Sequence, residues 1–266
     1  APSPVRSEMI VRAIPRTSDV LWSYFLLTYA ILLLNTRGFL KDIEYSGVWL
    51  SVYSVAVQIA YTLLYLIPVL IIVVALKRVL HVRLLRRTLG LREVVIRRLV
   101  YTTAITGCAL LQYAIFADKS VFDVFGFHLN GFIWNLVCTR GGIDSMGGGS
   151  GTMFFAVLVG FGFLIVQAGL LVVVWKVSLV RDALIRLNHR KPVIIGVCIL
   201  SLAGLYAQLG YGINSFRSFG PTLAVANAFP CFVPMTFKGI AKSLGYEIPR
   251  TQTMGVGKDA FGLRYP

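Results

Sequence analysis

The sequence predicts an all-α membrane protein with five transmembrane helices, and three observations carry that prediction. Of 266 residues, 57% are hydrophobic and only 14% are charged, whereas a soluble domain is about half apolar and about a quarter charged. The charges are gathered into clusters, and the apolar runs between them approach or exceed the roughly 20 residues that a helix needs to cross a bilayer. The clusters also differ systematically in sign, as loops on opposite sides of a membrane do.

The elements follow in order. A basic arm, residues 1–19, precedes the first apolar run. No A-x-A-like site follows that run, so it reads as an anchor and not as a cleaved signal. The five spans are predicted at Val20–Thr36, Gly47–Leu76, Leu99–Ala117, Met153–Val174 and Val193–Tyr211. The second exceeds the bilayer thickness and contains Pro68, so a tilt, a kink or an interfacial first turn is expected to absorb the surplus.

Orientation follows from the loops. Lys77 to Arg98 carries eight basic residues against Glu93, and Lys176 to Lys191 carries five against Asp182. The other two loops hold four basic residues, set against Asp42 and Glu44 in one and Asp118, Asp123 and Asp144 in the other. Thirteen against four predicts a cytoplasmic N-terminus and a C-terminus on the opposite side of the membrane. The net charge of +15 sits at the ends of apolar runs, which fits anionic headgroups rather than nucleic acid.

In the first basic loop, Leu80, Leu84 and Leu91 fall near helical spacing, with Arg83, Arg86, Arg87 and Arg92 around them. An amphipathic helix on the inner leaflet, a docking surface for a cytoplasmic partner and a solvated connector all fit this pattern.

The span centres carry no ionisable residue; their polar groups include Gln58, Gln112, Gln167 and Gln208, which are expected to bond between helices. Ion-coupled transport usually requires an intramembrane charge, so a facilitative transporter or channel is the alternative that survives, and it is disfavoured. No nucleophile, metal cluster or acid/base pair is recognisable. His128 has no carboxylate at a triad spacing, although Asp123 lies five residues back, and "GGIDSMGGGSG" lacks the Lys-Ser/Thr of a phosphate loop. No cofactor is expected in this chain. Cys138 and Cys231 fall outside the predicted spans, where a disulfide is conceivable and two unpaired thiols are the ordinary expectation.

Two stretches on the predicted outer side stand out. "FADKSVFDVFGFHLNGFIWNLV" is dense in aromatic rings, which settle at headgroup level. It reads as a re-entrant or surface-lying segment in which His128, Asn130 and Asn135 supply hydrogen bonds, with Trp134 and Arg140 at the interface. The linker, residues 212–266, contains a predicted short interfacial helix from Thr236 as N-cap to Gly245. Phe237 lies on its apolar face and Lys238 and Lys242 on another, and its free amides suit an anion such as a lipid phosphate. A linker helix packed on the spans fits equally.

"DKSVFDVFGFHLNGFIWNLV" and "FPCFVPMTFKGIAKSLGYE" resemble membrane-anchored members of the sulfatase-like (alkaline phosphatase) superfamily. Within it they resemble the lipoteichoic acid synthase-like transferases and, most of all, the PbgA (YejM)-like inner-membrane branch. The resemblance implies the membrane domain of a larger bacterial inner-membrane protein, followed by a periplasmic domain holding the nucleophile and a metal ion. It implies a phosphoethanolamine or phosphoglycerol transferase, or a lipopolysaccharide sensor that binds lipid A phosphate and meets a cytoplasmic-side adaptor. Thr236 matches the Thr of that branch's Pro-Met-Thr and Lys238 the first of two adjacent arginines, while Gly239 replaces the second. The glycine-rich stretch departs from the branch.

Overall fold

The computed structural model describes residues 16–41, 43, 47–82, 90, 92–142, 149–187, 190–216, 219–237 and 242–245. Every regular element among them is helical. They are α1 (Thr17–Thr36), a 3-10 turn (Arg37–Leu40), α2 (Val48–Leu80), α3 (Glu93–Phe125), α4 (Gly131–Cys138), α5 (Ser150–Lys176), α6 (Ser178–Arg186), α7 (Arg190–Phe216) and α8 (Gly220–Asn227). Five of these, α1, α2, α3, α5 and α7, are long and apolar enough to cross a membrane, so the chain is a multi-pass membrane protein.

The helices overrun the apolar segments that announce them. α2 continues to Leu80 and takes Lys77 and Arg78 into its last turn, where cations are favoured by the negative end of the helix dipole. α3 starts six residues before Leu99 with Glu93 in its first turn and ends eight residues beyond Ala117. Backbone hydrogen bonding continues past the point where hydropathy falls, and the i,i+4 pair of Lys119 and Asp123 supports that added length. α4, α6 and α8 are short helices within stretches where the sequence reading named no helix. For α8 the available signal was Pro221 at the helix start.

Polarity is distributed as a bilayer requires. Thr28, Thr36, Thr62, Gln112 and Gln167 are fully buried, while Leu34, Phe154, Ile165 and Leu202 are exposed. A protein in water would reverse this arrangement, because exposed large apolar side chains are stable only against lipid or a partner.

Contacts divide the chain into two units. The first comprises residues 1–32, 66–114 and 144–195. Its centre is a polar knot in which Tyr24 and Thr28 of α1 donate to Oε1 of Gln167 in α5, at 2.7 and 3.1 Å. Tyr24 also reaches the Ala104 carbonyl of α3 at 3.3 Å. Small residues permit close approach, since a Cβ added at Gly107 would stand 2.9 Å from Val69.

The second unit comprises residues 33–65, 115–143 and 196–266. Gln58 donates to the Leu33 carbonyl at 2.7 Å, and the hydroxyls of Thr36 and Thr62 meet at 2.8 Å. Gln208 donates to the Tyr61 hydroxyl at 2.9 Å. The expectation that the glutamines bond between helices thus holds for Gln58, Gln167 and Gln208.

Candidate functional site

Among the described residues, a cluster of polar contacts in the second unit surrounds His128, at the end of α3. α3 ends at Phe125, and Gly126 then takes φ +72, a left-handed conformation that favours glycine. The turn brings His128 back onto the helix it has just left. Its ring stacks on Phe122, with centroids 4.6 Å apart, and meets the edge of Phe39 at 6.1 Å. Nδ1 lies 2.7 Å from Oδ2 of Asp118, and Nε2 lies 2.8 Å from the Asn227 carbonyl at the end of α8. The other carboxylate oxygen of Asp118, a buried residue, accepts from the Leu129 amide at 2.7 Å.

Contrary to the expectation from spacing, His128 does have a carboxylate partner: it is Asp118, ten residues back, and not Asp123, which pairs with Lys119. A continuous helix separates residues 118 and 128 by about 15 Å; the turn at Gly126 removes that separation, and spacing alone could not reveal it.

Both ring nitrogens face acceptors, so both carry a proton and the pair is an imidazolium beside a carboxylate. Burial opposes the charged ring, but the hydrogen bonds to Asp118 and to the Asn227 carbonyl, with the Asp118 charge, outweigh it and raise the pKa above the usual histidine value. A general base needs a free nitrogen toward its substrate, and here the Nε2 lone pair is absent and its proton engaged. The arrangement is a latch tying the end of α3 to the end of α8.

Next to the latch begins α4. Asn130 caps it, its side-chain oxygen accepting from the amides of Phe132 and Ile133 at 3.0 and 3.1 Å. Ile133 is buried, whereas Phe132 is 61% and Trp134 71% exposed, so the helix is pinned by one side chain and displays its rings. The Asn135 carbonyl accepts from the Thr139 hydroxyl at 2.7 Å, and Arg140 is exposed.

The segment after α8 is held along its length. Phe232 N–H bonds to the Phe229 carbonyl at 3.3 Å, closing a turn with Pro230 and Cys231 at its centre. Cys231 has φ +58, as the third residue of a type II turn does. Tyr65 donates to the Pro230 carbonyl at 2.6 Å, and the Met235 amide donates to Gln208 at 3.2 Å. Thr236 is exposed, and the ring of Phe237 packs against Gly212. Lys242 is exposed, and Gly245 has φ +81, suited to a helix end.

Lys238 and the middle of the predicted interfacial helix, residues 238–241, lie outside the described residues, as do Arg83, Arg86 and Arg87. Arg92 is described and exposed; its carbonyl accepts from the Val95 and Ile96 amides at 2.9 and 3.1 Å. Cys138 and Cys231 are both free and exposed.

Comparison with curated proteins finds no match. The family model DUF3413, a domain of unknown function, matches residues 12–266, and the chain therefore belongs to the DUF3413 family.

Proposed function

We propose that this chain is the membrane domain of a sulfatase-like protein of a bacterial inner membrane, binding lipid headgroups at the outer leaflet. In this reading its N-terminus faces the cytoplasm and the His128 latch faces the periplasm, an orientation that the thirteen-to-four distribution of basic residues between alternate loops supports. The observation that carries the lipid reading is α4. A short, capped helix exposes Phe132 and Trp134 immediately after the end of a long apolar helix, and aromatic rings with a polar handle favour the headgroup region.

Lys238 and Lys242 of the linker sequence would supply the positive charge for a lipid phosphate, with Thr236 the polar residue two positions before Lys238. Lipopolysaccharide, through lipid A, is the ligand that the motif resemblance favours, and a phospholipid headgroup offers the same phosphate. The parent protein then either senses that lipid and signals to a cytoplasmic-side adaptor, or transfers phosphoethanolamine or phosphoglycerol to a glycolipid with a metal-dependent periplasmic domain.

Two measurements test this reading. Impermeant maleimide should label Cys138 and Cys231 in intact spheroplasts; labelling only after permeabilisation overturns the orientation. Glycolipid or phospholipid should co-purify with the chain and diminish with Lys238→Ala/Lys242→Ala. Undiminished lipid, or none at all, removes the headgroup-binding part.

A further inference from the structure

We infer that a cleft in the first unit, between the opening turns of α1 and the closing turns of α2, binds one anionic phospholipid. The cleft encloses about 470 Å³, within the range of ligand sites. Leu21 and Phe25 of α1 and Leu70 and Val74 of α2 give it an apolar end. Ser18, Trp22, Lys77 and Arg78 line it with donors. Phe25 and Leu70 each lie seven residues along their helices from Ser18 and Lys77, about 10 Å at the helical rise. The lining therefore changes from cationic to apolar along the span axis, as a lipid changes from phosphate to acyl chain.

Three further observations favour that occupant. Among the described residues no carboxylate pairs with Lys77 or Arg78, whereas Lys119 and Arg181 each have an aspartate. Trp22 lines the cleft and its Nε1 is buried without a hydrogen-bond partner among the described residues, so a small turn of the indole would offer that N–H to a phosphate or ester oxygen. His81 forms a wall, its Nδ1 2.7 Å from the Lys77 carbonyl and its Nε2 3.4 Å from Glu93. That carbonyl is one of the orphan acceptors of the α2 terminus, so the bond fixes the backbone next to Lys77. Because the cleft belongs to helices suited to crossing a bilayer, the anion best supplied there carries its own acyl chain. This inference requires only that α1 and α2 span a bilayer; it does not depend on the outer-leaflet reading or on which leaflet the cleft meets.

The test is native mass spectrometry of the full chain in detergent, titrated with phosphatidylglycerol, phosphatidylcholine of the same chains, or inorganic phosphate. Phosphatidylglycerol should remain bound, phosphatidylcholine should bind at least about tenfold more weakly, and inorganic phosphate should not compete. Lys77→Gln/Arg78→Gln should weaken phosphatidylglycerol about tenfold or more. Lys176→Gln/Arg186→Gln removes the same charge from exposed positions and should leave binding unchanged. Val74→Trp fills the apolar end without altering a charge and should also weaken binding. Equal binding of both lipids, competition by phosphate alone, or equal weakening by the Lys176/Arg186 variant would each overturn the site.

Discussion

Nε2 of His128 lies 2.8 Å from the carbonyl of Asn227, ninety-nine residues later in the chain, while Nδ1 of the same ring holds Asp118 at 2.7 Å. One imidazolium thus joins the end of the third long helix to the short helix α8 within the linker.

Removing the charge from Asp118 leaves His128 and the Leu129 amide with a poorer acceptor. Asp118→Asn should lower stability by about 1–3 kcal/mol, the usual consequence of an incompletely satisfied buried polar group. Asp123→Asn, which breaks only the exposed pair with Lys119, should change it by less than about 1 kcal/mol. Reversible unfolding in mixed micelles compares the two; equal losses would contradict the latch.

The latch is also pH-dependent. The folded protein raises the His128 pKa, so it binds that proton more tightly than the unfolded chain does. Its contribution is complete below the unfolded value of about 6.5 and is lost as pH rises through the raised folded value. Stability should therefore fall as the solution becomes alkaline across that window, and His128→Gln should flatten that part of the profile. A profile unchanged by the substitution removes the assignment.

Gln167 joins α5 to α1 through Tyr24 and Thr28. Gln167→Leu should cost about 0.6–1.7 kcal/mol, the range of hydrogen bonds between membrane helices, measured by steric trapping or by unfolding in detergent. Thr28→Val should be milder, because Tyr24 retains the amide. A larger loss at Thr28 would mean that the hydroxyl and not the amide is the hub.

Glycine positions separate close packing from open surface. A Cβ at Gly210 would stand 2.8 Å from the Tyr53 ring, whereas at Gly204 it meets nothing within 4 Å. Gly210→Val should destabilise by about 1–3 kcal/mol through overpacking, and Gly204→Val should be near neutral. Thermal unfolding of the two variants decides the matter.

Trp134 provides a direct reading of the α4 surface. In a variant keeping Trp134 and replacing Trp22, Trp49 and Trp175 by Phe, lipids brominated near the headgroup should quench fluorescence more than lipids brominated deep in the chain. Quenching by neither would place the ring in water and remove the interfacial role of α4.

Hydropathy is a local property, so the existence of the five long helices, their order and the charge contrast between loops were legible in the residues themselves. The ends of those helices were not, because α3 continues to Phe125 on hydrogen bonds and a side-chain pair that hydropathy does not register. The sequence suggested the interhelical work of Gln58, Gln167 and Gln208, since an amide in an apolar run needs a partner, but which partner it meets depends on how helices far apart in the chain are packed. Asn130 was recognised as a hydrogen-bonding residue; only the backbone direction after Gly126 made it the cap of α4. His128 shows the division most plainly. Its chemistry was visible as a lone histidine among rings, but its pairing required a left-handed glycine to reverse the chain toward Asp118 and a distant helix to bring up Asn227. Residue type determined what each group could do, and tertiary packing decided which group it met, because contact depends on separation in space and not along the chain.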